Sequence, residues 1–398
     1  MSNYDDTPRR RRRVDDDDED DDFEERPRPR RRRRAIGSNG VATAALILGI
    51  LSLCLGPLAG LPAIICGVLG IAAAGRERVG RGPAIAGTVL GGVSFGLTLL
   101  AVLAFNRSWQ AAIPGKLAEW AMAKPVPVEF PELGPGRPAQ PGVVVHESTV
   151  MRGTVPMRVW FYRPERAEGR LPLVLVPPAG STLVCGMRLA EGDRLEHLPY
   201  AAAGFAVASF DIDGDVPREN RPSEAAVLKG AREFRDAQAG LANVRAALDF
   251  VLAKAPDVDP GRVYIAGHSS AATLALLTAE HEPRVAACAA FGGVPDVEDS
   301  LAKAIPALNR ALPGYRTFLN YSSPKTGVET LKCPVFLFHA EDDTVVPIRQ
   351  CTDFAALLRK TNPNVTLVTT PAGGHYDSMI QEGIPKCIEW LKRLPKGE

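Results

Sequence analysis

The chain has 398 residues and a formal net charge of +1, with 47 basic residues against 46 acidic ones. With this balance, the overall charge gives no indication of a charged partner such as nucleic acid or an acidic surface. Seven cysteines are scattered without a Cys-x-x-Cys pair or the spacing of metal ligands, so we expect no disulfide framework, no metal and no organic cofactor.

The first segment, residues 1–40, is a highly charged tail. Residues 9–13 and 30–34 are arginine runs, and residues 15–22 between them are all acidic. Blocks of like charge repel one another and carry no apolar surface to bury, so this tail is predicted to be disordered. Aromatic residues are almost absent from it, and the acidic run would neutralise a phosphate-binding face, so no nucleic-acid partner is expected.

Residues 41–106 are predicted to form a helical transmembrane region. Residues 41–75 and 82–106 contain no charged side chain. About 20 apolar residues cross a bilayer as a helix, so the second stretch fits one span. The first stretch is too long for one span and is interrupted by glycines and prolines between residues 56 and 62. It is predicted to form two short spans or a tight helical hairpin.

The distribution of positive charge predicts the orientation of these spans. The arginine-rich tail and the basic loop at residues 76–81 both lie close to the ends of spans, where positive residues favour the cytoplasmic side. A multi-pass protein of the cell membrane follows, with everything after residue 106 outside the cytoplasm. If the first stretch crosses only once, the remainder is cytoplasmic instead. The glycine spacing of residues 41–105 resembles a small bacterial membrane domain of unknown function, which implies no activity.

Residues 107–142, rich in proline and glycine, are predicted to be a linker. From Val143 onward, short apolar runs alternate with helical patterns. Strands are predicted at residues 143–150, 157–162, 171–176, 206–210, 262–267, 285–291, 334–338 and 365–369, and the main helices at residues 225–254, 271–280 and 376–393. Buried strands that alternate with helices predict a mostly parallel sheet covered by helices on both faces. Such sheets bind ligands at the carboxyl ends of their strands.

A candidate nucleophile follows one of these strands. The run Gly267-His268-Ser269-Ser270-Ala271 comes directly after an apolar run and opens a helical pattern. A serine on a sharp strand-to-helix turn needs small residues two positions away on each side, because the turn is strained and closely packed. Gly267 and Ala271 meet this need, and Ser269 is the predicted nucleophile. The alternative is a small-residue turn with a passive serine.

An acid and a histidine follow two later strands. Asp342 and Asp343 lie in the loop after residues 334–338, and His375 lies in a Gly-Gly-His turn after residues 365–369. An acid can orient a histidine and stabilise its imidazolium, and the chain order Ser, Asp, His is the one expected of this arrangement. Of the other histidines, His268 and His339 are expected to be structural, and three that lie away from any motif are expected at the surface: His146, His197 and His281.

A tetrahedral intermediate also needs hydrogen-bond donors for its oxyanion. The backbone N–H of Ser270, which follows the nucleophile, is one predicted donor. The other should come from the loop after residues 171–176. This loop begins with two prolines, which have no N–H, so Ala179 or Gly180 must supply it. Residues 211–235 and 292–332 also follow strand ends and are predicted to shape the pocket.

These motifs carry a resemblance to a known family. Residues 143–394 resemble the α/β-hydrolase superfamily, and within it the dienelactone hydrolases and the catalytic domains of prolyl oligopeptidases, the S9 family. The matching runs are Gly-His-Ser-Ser-Ala, His-Ala-Glu-Asp-Asp-Thr-Val-Val-Pro and Gly-Gly-His. The resemblance implies an α/β-hydrolase fold over residues 143–398, with the acid at Asp343. The family has His-Gly where this chain has two prolines, so the sequence departs from the pattern at the oxyanion loop.

The predicted function is that of a membrane-anchored serine hydrolase with the triad Ser269, Asp343 and His375, acting on a small-molecule or peptide acyl substrate. The segment before Val143 does not resemble the propeller that gates oligopeptidases, which favours an ester as substrate. Two alternatives remain at this point. One is an S9-like peptidase, and the other is a non-catalytic membrane protein that keeps the hydrolase scaffold to bind a partner.

Overall fold

The computed structural model describes residues 39–55, 57–77, 80–121, 128–167, 169–217 and 222–395. The predicted disordered tail falls outside these residues except for its last two positions. The chain divides into two compact units, residues 1–107 and 108–398.

The helices, numbered in chain order, are α1 (Gly40–Leu55), α2 (Pro57–Glu77), α3 (Arg81–Ala121), α4 (Arg194–Ala202), α5 (Glu224–Asp236), α6 (Leu241–Lys254), α7 (Ser270–His281), α8 (Val297–Ser300), α9 (Ile305–Ala311), α10 (Tyr315–Tyr321), α11 (Arg349–Leu358) and α12 (Ile384–Arg393). The strands are β1 (Val128–Glu129), β2 (Gly136–Gln140), β3 (Val143–Arg152), β4 (Val155–Pro164), β5 (Leu171–Leu175), β6 (Ala206–Phe210), β7 (Val258–His268), β8 (Val285–Phe291), β9 (Val335–Ala340) and β10 (Val365–Thr370).

The first unit consists of α1, α2 and the start of α3, which meet through small residues. A β-carbon on Gly49 would lie 2.9 Å from the backbone of Gly87, and one on Gly87 would lie 2.3 Å from the backbone of Ala45. Large apolar side chains point outward instead, Leu58 and Leu100 among the most exposed. Only α3, over Arg81–Ala104, is both long and apolar enough to cross a membrane among the described helices, and the apolar parts of α1 and α2 are shorter. The predicted number of spans is therefore not confirmed.

The second unit is built on one sheet with the strand order β1-β3-β4-β6-β5-β7-β8-β9-β10, and β2 pairs with β3 beside β1. Strands β6 to β10 along this order are parallel, and β4 joins them antiparallel. The mostly parallel sheet was predicted from the alternating pattern. Side chains alternate between two cores because successive residues of a strand point to opposite faces. In β9, Val335 and Leu337 enter one core, while Phe336 and Phe338 enter the other with α4 and α12.

Two elements differ from the predictions. Within residues 107–142, where a linker is predicted, α3 continues to Ala121 and β2 pairs with β3. Pro138 is tolerated in β2 because an edge strand need not use every N–H. The helix predicted over residues 225–254 is two helices, separated by positive φ angles at Gln238, Ala239 and Gly240. A β-carbon on Gly240 would lie 2.8 Å from Leu274, so this turn is closely packed against α7.

The parallel strands place their carboxyl ends along one edge of the sheet. The loops after β5, β7, β9 and β10 therefore emerge together, and they carry every predicted site residue.

Candidate active site

Ser269 occupies a strained turn between β7 and α7. Its backbone has φ 55° and ψ −118°, a conformation that a non-glycine residue adopts only where the surroundings enforce it. Its amide donates to the carbonyl of Phe291 at 2.8 Å, which ties the turn to β8. A β-carbon on Gly267 would lie 2.3 Å from the carbonyl oxygen of Ala271, so only glycine fits there. This geometry holds a side chain at the sheet edge in the manner of a nucleophile.

Asp343 and His375 are in direct contact. The Nδ1 of His375 donates to Oδ2 of Asp343 at 2.7 Å, which leaves Nε2 of His375 without a proton in the neutral ring. The other carboxylate oxygen accepts the amides of Val345 and Val346 at 2.8 and 2.9 Å. The buried His339 donates from Nε2 to the carbonyl of Val346 at 2.8 Å, and the same nitrogen lies 3.1 Å from Oδ2 of Asp343. Three donors, the His375 ring and two backbone amides, thus converge on one carboxylate whose side chain is 1% exposed.

The neighbouring Asp342 has a different set of contacts. Its exposed carboxylate accepts the amide of Gly373 at 3.1 Å and the amide of Gly374 at 2.8 Å. Both glycines have positive φ angles and form the turn that precedes His375. Asp342 therefore anchors the loop that carries the histidine, whereas Asp343 contacts the histidine ring itself.

The charges at this site depend on burial and on these hydrogen bonds. Burial opposes the charge of Asp343, but its hydrogen bonds with His375 and two backbone amides outweigh that cost and hold its pKa below the ordinary value. Burial lowers the pKa of His375, and the neighbouring His268 lowers it further, against the opposing effect of Asp343. His375 is therefore a neutral base at neutral pH.

His268 links the nucleophile turn to the histidine loop. Its Nε2 donates to the backbone carbonyl of His375 at 2.8 Å, and the two imidazole centroids lie 4.5 Å apart. A β-carbon on Gly292 would approach the ring of His375 to 3.3 Å. His268, next to Ser269 in sequence, and Gly292, at the end of the neighbouring strand, thus both lie against His375. The serine turn and the histidine are therefore close to each other at the sheet edge.

The loop after β5 meets α7 through a serine side chain. The amides of Gly180 and Ser181 both donate to Oγ of Ser270, at 3.0 and 2.9 Å. Gly180 and Ala179 are the two alternatives predicted for the second oxyanion donor, and the amide of Gly180 is already engaged by Ser270. Among the residues that the structure describes, no acceptor takes the amide of Ala179 or of Ser270. These two amides are the remaining predicted donors.

A narrow cavity of about 20 Å³, room for about one water molecule, lies beside Ser270. Its walls include residues from both segments that were predicted to shape the pocket: Ile212, Phe234, Val297 and Ser322. The backbones of two other lining residues, Leu183 and Ala239, have positive φ angles. Strained residues of this kind cluster at functional sites.

The sequence interpretation missed several supporting contacts. His268 and His339 were expected to be structural, and both contact the pair formed by Asp343 and His375. His339 has a signal in the sequence, since it stands four residues before Asp343 at the end of a buried strand. The role of the Ser270 side chain had no such signal. His197, which was predicted at the surface, is buried against Trp160 and Tyr162 because α4 packs on β4. The described residues contain no group of three or more potential metal ligands.

Comparison with known proteins gives a family match and one curated relative. Residues 194–396, just over half of the chain, match the model of the prolyl oligopeptidase family, Peptidase_S9. The acetyl esterase Axe7A of Xylanibacter ruminicola is 26% identical over 259 residues, which cover 60% of this chain and 56% of the relative. The chain thus spans little more than half the length of that relative.

Solved structures share the fold at low sequence identity. The acylaminoacyl peptidase of Pyrococcus horikoshii superimposes with a TM-score of 0.50 at 17% identity, covering 64% of this chain and 42% of the peptidase. A candidate dienelactone hydrolase from Klebsiella pneumoniae has a TM-score of 0.50 at 19% identity, covering 63% of this chain and 99% of that one. These likenesses confirm the predicted α/β-hydrolase fold.

Proposed function

Because the chain belongs to the prolyl oligopeptidase family, we propose that it is a serine hydrolase that cleaves a carboxylic ester with Ser269, His375 and Asp343. The observation that carries the proposal is the pairing of His375 with Asp343 beside the strained turn of Ser269. Three donors keep Asp343 ionised, and Nε2 of His375 is left as a base. A serine with no catalytic role would need neither a strained backbone at position 269 nor a histidine–aspartate pair beside it.

The reaction follows from these positions. Ser269 Oγ attacks the carbonyl carbon of the ester while Nε2 of His375 takes its proton, and Asp343 stabilises the imidazolium that forms. The oxyanion accepts hydrogen bonds from the amides of Ser270 and Ala179. Collapse breaks the bond to the alcohol, which leaves with the proton from His375. Water, deprotonated by His375, then attacks the acyl-enzyme and releases the acid and Ser269.

The curated relative supports an ester as the substrate class, since it is an acetyl esterase. We therefore include short acyl esters, acetyl esters first, among the substrates of this chain. The peptidase in the same fold makes peptide and amide bonds the second candidate.

Membrane anchoring is a separate part of the proposal, supported by the composition of the first unit. Glycines and alanines face the interior of this unit, and leucine, isoleucine and valine face outward. Small residues between helices and large apolar ones around them are typical of helices packed in lipid. Buried polar groups there are paired, as in the bond from Ser94 to the carbonyl of Ser52 at 2.6 Å. We propose three spans, with the hydrolase unit outside the cytoplasm.

A substrate panel on the purified full-length chain tests the activity. We expect turnover of p-nitrophenyl acetate and related acyl esters that exceeds turnover of peptide p-nitroanilides, and we expect Ser269→Ala to abolish it. A faster reaction with peptides would make the protein a peptidase. No turnover in any assay would favour the non-catalytic binding protein. Protease added to intact cells tests the topology, since digestion of the hydrolase unit supports the outside location and full protection until lysis contradicts it.

A further inference from the structure

Two consecutive backbone amides converge on the side chain of Ser270. Gly180 N and Ser181 N lie 3.0 and 2.9 Å from its Oγ, and the residue is 7% exposed. A hydroxyl oxygen has two lone pairs, so these two donors fill its capacity to accept. The contact joins residues that are 90 and 89 positions apart in the chain.

This contact is the first anchor of the loop after β5. The amide of Val176 makes the last bond to the sheet, to the carbonyl of Ala208 at 2.9 Å. Pro177 and Pro178 follow, and neither has an N–H with which to bind a neighbour. The next backbone donors with a partner are those of Gly180 and Ser181. Ala179 therefore lies between two prolines and the serine contact, and its amide has no acceptor among the described residues.

The backbone of Gly180 adds a second constraint. Its φ of +99° belongs to the left-handed region, which other residues adopt at a cost. A turn of this kind aims successive N–H groups toward one side and forms a concave site for an anion. With the amides of Gly180 and Ser181 fixed on Ser270, the direction of the Ala179 amide is fixed as well.

We propose that Ser270 is a positioning residue of the oxyanion hole. Its backbone amide is one donor to the oxyanion, and its hydroxyl holds the loop that carries the second donor, the amide of Ala179. This inference rests on the proposed function and deepens it. It explains how a chain with two prolines in place of the family's His-Gly keeps an ordered oxyanion loop. The Ser270 hydroxyl touches neither substrate nor reacting atoms, and it acts on the reaction through Ala179.

Removal of the hydroxyl should reduce transition-state stabilisation without preventing substrate binding. Loss of an oxyanion donor lowers kcat by about 10²–10³ in a well-studied protease. Ser270→Ala keeps the Ala179 amide as a donor but removes the contact that positions its loop, so we expect kcat to fall by about 10- to 100-fold. KM for the same ester should change less than about threefold, because the oxyanion forms only in the transition state.

Three variants separate this role from packing. Ser270→Thr keeps a hydroxyl and should retain kcat within about fivefold of wild type. Ser270→Cys keeps the volume, but sulfur is a weak acceptor, so it should lose as much kcat as Ser270→Ala. The comparison of Thr with Cys stands even if the alanine variant does not fold. Ser209→Ala is the matched control, since it removes a buried serine hydroxyl from β6, outside this cavity, that has no hydrogen-bond partner among the described residues.

The experiment measures kcat and KM of the full-length chain with p-nitrophenyl acetate, and the inhibition constant of a trifluoromethyl ketone, which forms a tetrahedral adduct. In Ser270→Ala and Ser270→Cys, we expect the inhibition constant to rise by the same factor by which kcat/KM falls. Both values should be unchanged in Ser209→Ala. An active wild type with equally active Ser270→Ala and Ser270→Cys variants would overturn this inference alone. An inactive wild type would overturn the proposed function and this inference with it.

Discussion

Substitution of the two adjacent aspartates separates catalysis from loop anchoring. In the wild type, Nδ1 of His375 donates to Asp343 at 2.7 Å. In Asp343→Asn, the side-chain amide can turn an N–H toward Nδ1 of His375, which then becomes the acceptor. The ring is then held with its proton on Nε2, where it cannot accept the proton of Ser269. Asparagine also cannot stabilise the imidazolium. Loss of this acid lowers kcat by about 10⁴ in the best-studied triad, and we expect the same order here.

Asp342→Asn should have a much smaller effect. The asparagine oxygen can still accept one of the two amides from Gly373 and Gly374, so one hydrogen bond is lost at an exposed position. Such a bond contributes about 1 kcal/mol, which corresponds to a factor of roughly five to ten if all of it serves to order His375. The ratio of the two effects on kcat should therefore be at least about 10².

Steady-state assays of both variants with the same ester give this ratio directly. Circular dichroism and thermal melting of each variant control for unfolding. The interpretation of the acid loop would be refuted by equal losses of kcat in the two variants, or by a larger loss for Asp342→Asn. Either result would mean that Asp342, and not Asp343, orients the histidine during catalysis.

Three further predictions concern groups around the site and in the core. His339→Phe should lower kcat about tenfold, because it removes the hydrogen bond that holds the carbonyl of Val346, whose amide donates to Asp343. His339→Gln can still donate and should lose less, and equal losses would contradict a role for the N–H. The acid limb of the pH profile of kcat/KM should have its midpoint below the ordinary histidine pKa of about 6.5. The reason is that burial lowers the pKa of His375 and the neutral ring is the active form. A midpoint above the ordinary histidine pKa would contradict the role of His375 as the base. Burial raises the pKa of Glu280 well above 4.5, so the folded state holds the proton of this carboxyl more tightly than the unfolded state. The melting temperature should therefore fall as the pH rises above 4.5. Glu280→Gln should flatten this dependence of melting temperature on pH, and an unchanged slope would rule Glu280 out as its cause.

The elements that the sequence predicted are those with local signals. Alternating apolar runs predicted each main strand of the sheet, because burial on both faces requires it. The strand–turn–helix context of Gly267 to Ala271 indicated the strained turn, since only small residues fit beside it. The chain order of Ser269, Asp343 and His375 indicated loops that meet at one sheet edge, and the contact of Asp343 with His375 is consistent with that expectation.

The features that the sequence did not predict depend on contacts between distant residues. The hydroxyl of Ser270 meets a loop 90 positions earlier, and neither segment alone signals the pairing. The break before α6 arises where Gly240 packs against Leu274, although residues 225–254 read as one helix. The pairing of β2 with β3 likewise depends on an edge that becomes available only when the sheet has formed. Local propensity carries no information about such tertiary contacts.

The central claim, that Ser269 is the nucleophile of a serine hydrolase, is tested most directly by covalent labelling. A fluorophosphonate probe is added to the full-length chain in membranes or detergent, and the modified peptide is mapped by mass spectrometry. We expect one phosphonylated residue, Ser269, no labelling of a folded Ser269→Ala variant, and strongly slowed labelling of His375→Ala. Modification of another serine, or labelling that survives in Ser269→Ala, would contradict the account.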